Sequence, residues 1–310
     1  MVIIVKRKNY FILLLIIAVI GAYFLTSNLS KSNQVVPWTI EYLNVDSLDE
    51  FNGNNIKVAI LDTGIDISHP DLKGKVVKEY NTISPGNPSI DESGHGTAVA
   101  GIIAAIDNNI GTKGINPQVN LYSVKVVDEN GRGKLEDLIE GIEWCIDQNV
   151  DIINISLGRS HGNKSLEAVV EKAIENGIVI VASSGNNFNE DSDYPAAYKN
   201  VISVTTVDEK NILPSFVSKG KIDYSAPGTE IPILTLDHEK VSESEGTSYA
   251  TAHLTGLVAH VLQRNQIAQT NEKSTVEQVN NVLKSWSKDL GVTGKDNLFG
   301  EGSVSIPKSS

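Results

Sequence analysis

Three short stretches carry side chains that could share one reaction. "AILDTGID" sets Asp62 at the end of an apolar run, just before a Gly turn. "SGHGTAVAGIIAA" sets His95 between two glycines at the start of a helical pattern, and "GTSYATAHLTG" sets Ser248 at the start of another. A hydroxyl is a weak nucleophile until a base takes its proton, and the base needs a third group to hold its orientation. Asp, His and Ser are the residue types for that division of labour. A helix start adds unpaired N–H groups and a dipole that favour developing negative charge, so the Ser248 amide could donate to an oxyanion. "VASSGNN" offers a second donor, the side-chain amide of Asn186 on a Gly-rich turn. Each residue alone has an ordinary explanation as a turn, loop or N-cap residue. Their conjunction in one chain points to acyl transfer.

Chain order narrows the choice. Asp, then His, then Ser is one of three unrelated orders in which these groups occur. "GTSYA" has Ala250 where a G-x-S-x-G nucleophile elbow has its second Gly, which disfavours an esterase of the α/β-hydrolase fold.

These groups must be positioned by something, and the rest of the chain supplies it. Nearly continuous β-branched runs at 56–62, 121–128, 150–157, 177–183 and 201–207 read as strands buried on both faces. Helical patterns lie between most of them, at 97–106, 134–148 and 165–176. Strands alternating with helices predict an α/β fold with a parallel sheet covered on both sides. In such a sheet the functional crevice lies beyond the carboxyl ends of the strands. Asp62, Ser156–Gly158 and Ser183–Asn186 each close a strand, so they belong to one region.

From about Asn33 onward the chain resembles the subtilisin-like serine proteases, the subtilases. "VAILDTGIDISHPDL", "GHGTAVAGIIAA", "GIEWCIDQNVDIINISLG", "SGNN" and "GTSYATAHLTG" look like that family's signature blocks, in its order. The resemblance implies a three-layer sandwich with a mostly parallel central sheet and helices on both faces. It implies Asp62 as orienting acid, His95 as general base, Ser248 as nucleophile and Asn186 as oxyanion donor. Two residues depart from the family's serine block: Tyr249 stands where Met is usual, and Ala252 where Pro is usual.

The resemblance also implies a substrate held as an added strand between "GRGKL", with Gly131 and Gly133, and "SLG", which is Ser156, Leu157 and Gly158. The P1 pocket would be walled by "SLG" and by Ser183–Gly185, with Asp193 at its base where many relatives have Gly. A carboxylate there would favour Arg or Lys at P1; the alternative is that Asp193 turns to solvent in an acidic loop with Glu190 and Asp191. A structural Ca2+ site would take the side chains of Gln34, Asp71 and Asn108 and the backbone carbonyls of Ile106, Ile110 and Thr112. All-oxygen ligation with one carboxylate suits that ion.

Composition bounds the remaining classes. The chain has 310 residues and a net charge of −12, which argues against a nucleic-acid partner. Its one cysteine, Cys145, excludes an intrachain disulfide and falls on the apolar face of the 134–148 pattern, as a core thiol would. No close-spaced His/Cys/carboxylate set suggests catalytic zinc. Lys6, Arg7 and Lys8 precede an uncharged apolar run at 10–25, predicting a membrane anchor with the rest of the chain outside the cytoplasm. A cleaved signal peptide, giving a secreted form, is the competing reading. With the anchor, residues 1–9 are expected to be cytoplasmic, 26–36 a tether too short for a folded prodomain, and 37–310 one catalytic domain, monomeric and acting on peptides or proteins. A dedicated processing protease fits such a tether. A non-catalytic protein of the same fold is the alternative class.

Overall fold

The computed structural model describes residues 34–47, 56–188, 190–264 and 274–308. Seven strands form the body of a parallel sheet: β1 (Lys57–Asp62), β2 (Val76–Asn81), β3 (Asn120–Lys125), β4 (Ile152–Ile155), β5 (Val179–Ser183), β6 (Ile202–Val207) and β7 (Tyr224–Pro227). A hairpin of β8 (Ile231–Leu234) and β9 (Val241–Ser244) stands apart as a second sheet. The main sheet is completed by β10 (Ser287–Lys288) and β11 (Ser303–Val304), giving the order β10-β11-β7-β6-β5-β4-β1-β3-β2. Only the β10–β11 pair is antiparallel within it.

Every residue of β4, β5, β6 and β7 is buried. That explains why their sequence is continuous rather than alternating: both faces are covered. β2 differs. It is an edge strand of the sheet, five of its six residues, Val76 to Tyr80, are exposed or half-buried, and "VVKEYN" carries no continuous apolar run. This is why the strand is not evident from hydrophobicity, whereas the five predicted strands begin and end within three residues of their expected bounds.

The described helices are α1 (Trp38–Tyr42), α2 (His95–Ala104), α3 (Leu135–Asp147), α4 (Lys164–Glu175), α5 (Thr247–Arg264) and α6 (Ser274–Trp286). α2 and α5 pack on each other, and α5 lies along β4 to β7; α3 and α4 form a second packed pair. Every residue of α2 after His95 is buried, as are Tyr249 to Gln263 of α5 apart from His260. Such enclosure accounts for the small residues after Ser248: Ala250, Thr251 and Ala252 are each 0% exposed. α1 is tied down by Thr39, whose hydroxyl meets His253 Nε2 of α5 at 3.0 Å. Cys145 is fully buried in α3, and burial pushes its thiol far above the usual range.

Strand β1 sits between β3 and β4. The chain runs outward from β1 to β2, returns to β3, then crosses β1 to reach β4, so the winding reverses at β1. A crevice outside the carboxyl end of a strand at such a reversal is the expected ligand site. Asp62 is the last residue of β1. The apolar run at 10–25 lies outside the described residues; among those described, no helix is long and apolar enough to cross a membrane.

Candidate active site

Asp62 ends β1 and His95 opens α2. Nδ1 of His95 lies 2.7 Å from Asp62 Oδ1, and the Thr63 N–H donates to that same oxygen at 2.8 Å. Asp62 is 2% exposed, whereas the imidazole keeps 31% of its surface and so faces the crevice. The Asp62 carboxylate raises the His95 pKa above its ordinary value of 6.5; burial opposes this, and the charge of Asp91 adds to it. A proton on Nδ1, held by the carboxylate, leaves Nε2 free to act as a base.

Ser248 is the second residue of α5. Its hydroxyl donates to the Ser156 carbonyl at 3.0 Å, and Ser156 Oγ donates to the Ser248 carbonyl at 3.3 Å. The strand-end "SLG" segment is thus locked to the start of α5. The Ser248 N–H belongs to the first turn, whose amides have no intrahelical acceptor. Asn186 lies beside it: Asn186 Oδ1 accepts from the Thr247 N–H at 3.2 Å and from the Thr247 hydroxyl at 3.0 Å. With the oxygen fixed in this way, the two amide hydrogens of Asn186 are available as donors.

The Tyr249 ring packs near His95, with ring centroids 5.8 Å apart and planes inclined by 39°. The residue is 7% exposed, and burial is the main cause of its raised phenol pKa.

The two expected substrate-flanking segments face one cavity of about 220 Å3, lined among others by Gly131, Gly133, Leu157 and Gly158. Gly131 has φ +72°, in the left-handed region open to glycine. Ser183 ends β5 and is 4% exposed. Asp193 does not turn to solvent; it is 9% exposed. It sits against the two glycines expected to wall the P1 pocket. A β-carbon on Gly158 would lie 2.5 Å from Asp193 Cβ, and one on Gly185 would lie 2.5 Å from Asp193 Oδ2. Desolvation raises the Asp193 pKa, partly offset by a hydrogen bond from Asn187. Among the described residues no cation pairs with it.

The expected calcium ligands also gather. Gln34 Nε2 donates to the carbonyls of Thr112 (2.9 Å) and Ile106 (3.2 Å). Asn108 Nδ2 donates to Asp71 Oδ1 at 3.2 Å, and the Thr112 N–H donates to Asp71 Oδ2 at 2.9 Å. Asp71 is 0% exposed, and a β-carbon on Gly111 would fall 1.8 Å from its Oδ2, so the loop closes tightly over the carboxylate. Ile110 joins this group through its N–H, which donates to Asn108 Oδ1 at 3.1 Å. Gln34 and Asn108 present their amide nitrogens here; turned to present their oxygens, they would complete an all-oxygen donor set of the kind calcium takes. Among the described residues there is no group of three or more His, Cys, Asp or Glu side chains that could hold a metal. This oxygen-rich loop with its single carboxylate is of another kind.

A serine at a helix start, an Asp–His pair at a sheet's topological switch and an asparagine amide beside the serine are the groups that a serine hydrolase of the subtilisin arrangement needs. The model of the subtilase family matches residues 53–302. Minor extracellular protease Epr of Bacillus subtilis is 39% identical over 284 residues, covering 90% of this chain and 42% of that protein. Subtilisin E of Bacillus subtilis is 39% identical over 280 residues, 88% of this chain and 71% of that protein. Subtilisin of Bacillus pumilus is 39% identical over 280 residues, 88% of this chain and 98% of that protein. The chain belongs to the subtilase family, and its class is that of the subtilisin-like serine endopeptidases.

Two features of the site were not singled out from sequence. Thr247 fixes the orientation of the Asn186 amide, and the only signal for it was a second hydroxyl directly before the nucleophile. His238 pairs with Asp66 at 2.6 Å through Nε2, which ties the β8–β9 tip to the turn after Asp62. That contact joins residues far apart in the chain, and nothing in the local pattern marks it.

Proposed function

We propose that this chain cleaves peptide bonds with Ser248 as nucleophile, His95 as general base, Asp62 as orienting acid and Asn186 with the Ser248 amide as oxyanion donors. The observation that carries this reading is the 2.7 Å contact between His95 Nδ1 and a buried Asp62, with His95 Nε2 left to receive a proton. Ser248 Oγ leaves Ser156, attacks the scissile carbonyl and gives its proton to His95. The developing oxyanion takes hydrogen bonds from the Ser248 N–H and Asn186 Nδ2. His95 then protonates the leaving amine, and water repeats the sequence on the acyl-enzyme. All these groups come from one chain, so a monomer suffices.

The substrate is an extended peptide laid between Gly131–Gly133 and Ser156–Gly158, with P1 Arg or Lys meeting Asp193. Gln34, Asp71 and Asn108, with the carbonyls of Ile106, Ile110 and Thr112, would hold a structural Ca2+, which neutralises a buried carboxylate and cross-links residues distant in sequence. The basic–apolar pattern of residues 6–25 supports an extracytoplasmic enzyme held at the membrane, a setting suited to processing a defined peptide. Residues 37–310 form its catalytic domain.

Labelling by a serine-directed phosphonate tests the mechanism. One equivalent should attach to Ser248, and His95→Ala should prevent it. A chain that stays unlabelled while binding peptides would instead be a non-catalytic protein of this fold.

A further inference from the structure

Asp91 is 4% exposed and is not among the four residues assigned to the chemistry. Its carboxylate collects five hydrogen bonds. Oδ1 accepts from the Thr63 hydroxyl (2.8 Å), the Gly94 N–H (2.9 Å) and the Ser93 N–H (3.0 Å). Oδ2 accepts from the Thr97 hydroxyl (2.7 Å) and the Thr97 N–H (2.9 Å). These donors come from two places. Thr63 follows Asp62 at the end of β1, whereas Ser93, Gly94 and Thr97 surround His95 at the start of α2.

Both hydroxyls pass the connection on. Thr63 Oγ1 accepts from the Gly96 N–H at 3.0 Å, and Thr97 Oγ1 accepts from the Asp66 N–H at 2.9 Å. The turn 62–66 and the segment 93–97 are therefore stitched by two hydroxyl bridges that meet on one carboxylate. Packing leaves no slack between them: a β-carbon on Gly96 would lie 2.0 Å from the Gly64 carbonyl oxygen. A helix start needs acceptors for its first amides, and any capping residue would supply one. Capping alone does not explain why the same carboxylate also takes the hydroxyl of the residue next to Asp62.

We propose that Asp91 is a positioning residue: through Thr63 and Thr97 it fixes the distance and angle between Asp62 and His95. The proposal rests on the triad reading above. Misplacing a catalytic group by about 1 Å can cost about a hundredfold in rate. Loss of one bridge should therefore lower kcat while leaving substrate binding, made elsewhere in the crevice, nearly unchanged.

The decisive variants are Thr63→Val, which keeps shape but cuts both hydroxyl links, Thr63→Ser, which restores them, and Asp91→Asn. Active sites are counted by phosphonate titration, so that unfolded protein does not count as slow enzyme. Per active site, Thr63→Val should lower kcat about tenfold to a hundredfold with KM within about twofold, and Thr63→Ser should recover most of it. The charged or titratable groups facing His95 are Asp62, Asp91 and Tyr249. Asp91→Asn should thus move the acid limb of kcat/KM to lower pH, because one negative charge that favours imidazolium is gone. The double variant should be little worse than the poorer single one, as expected for residues acting through one link. If Asp91→Asn does not fold, the Thr63 pair alone decides. Wild-type kcat in Thr63→Val, or a loss that Thr63→Ser fails to restore, overturns the proposal. Ser248→Ala separates the two ideas: peptidase activity in that variant refutes the triad, whereas inert Ser248→Ala beside unaffected Thr63→Val refutes only the role of Asp91.

Discussion

The hydroxyl of Ser248 and the carbonyl of Ser156 are joined at 3.0 Å, so the nucleophile's proton rests on the segment expected to bind substrate. On the proposed substrate path, a peptide strand along "SLG" would compete for that carbonyl and free the hydroxyl towards His95. Ser248→Ala should abolish the acyl-enzyme burst. One neutral hydrogen bond contributes only about 0.5–1.5 kcal/mol net, so the variant should fold with nearly unchanged stability. Burst kinetics and a thermal melt check both halves.

Asn186 is held by its oxygen, through Thr247, with its nitrogen left to donate. Asn186→Ala should lower kcat more than it raises KM. In subtilisin itself, loss of one such donor costs about 10²–10³ in kcat, and a loss of that order is expected here. Thr247→Val, which removes the hydroxyl link, should produce a smaller loss of the same kind. Steady-state kinetics on one peptide series would show whether kcat or KM carries the effect.

The pH dependence follows from His95. The Asp62 carboxylate raises its pKa, and the base works only when neutral, so kcat/KM should fall as pH drops through a value above 6.5. The stability contribution runs the other way. A folded pKa raised above the unfolded one stabilises the protein fully below the unfolded value, and that contribution is lost as pH rises through the folded pKa. Activity should therefore rise over the pH window in which this part of the stability fades. Asp62→Asn should move the inflection down and lower kcat by about 10⁴, the cost known for losing this orienting acid in a serine protease. A pH–rate profile of both proteins, beside melts at matched pH, reads each effect.

How much of this was legible in advance depends on the range of each interaction. The strand ends at Asp62, Ile155 just before Ser156, and Ser183 were readable because buried parallel strands are uniformly apolar and stop abruptly. The helix starts at His95 and at Thr247, just before Ser248, were readable because glycine precedes each helix. β2 was not, because an edge strand with one solvated side carries "VVKEYN" rather than an apolar run. Asp91 reads in sequence as one more acidic loop residue; its five donors are gathered only when β1 and α2 meet. The same holds for His238 and Asp66, separated by 172 positions. Patterns within a dozen residues are visible to inspection, and contacts made by packing are not.

The gathering of Gln34, Asn108 and the 106–112 loop around the buried Asp71 carboxylate predicts sensitivity to chelation. A ligand that binds only the folded state stabilises it by mass action, about 2.7 kcal/mol at a free concentration a hundred times its Kd. For a domain of this size that corresponds to a shift in Tm of about 5 °C. EDTA should lower Tm by such an amount, and added Ca2+ should restore it. Asp71→Ala should melt low with or without the ion. Equal melting curves with EDTA and with Ca2+ would mean that the loop holds itself together by the hydrogen bonds already present.

Asp193 carries the prediction about specificity. It is 9% exposed, it touches both glycine walls expected for the P1 pocket, and no cation among the described residues answers its charge. An unpaired carboxylate in such a place is costly, and burial accordingly raises its pKa. A P1 Arg would supply the missing partner with two parallel hydrogen bonds, and a P1 Lys with a single point charge. The order in the wild type should thus be Arg, then Lys, with Leu and Phe behind. Removing one partner of a buried charge pair costs about 2–5 kcal/mol, so the ratio of kcat/KM for Arg over Leu should fall at least about thirtyfold in Asp193→Gly. That ratio has a further use, because His95 titrates equally for both peptides and cancels. Any remaining pH dependence belongs to Asp193. The preference for Arg should weaken as pH falls through a pKa raised above 3.8, where the carboxyl takes a proton and its attraction for the cation is lost. Matched peptides assayed across the acid range in wild type, Asp193→Gly and Asp193→Asn would decide the matter. If Leu and Phe already exceed Arg in the wild type, Asp193 does not reach the P1 side chain.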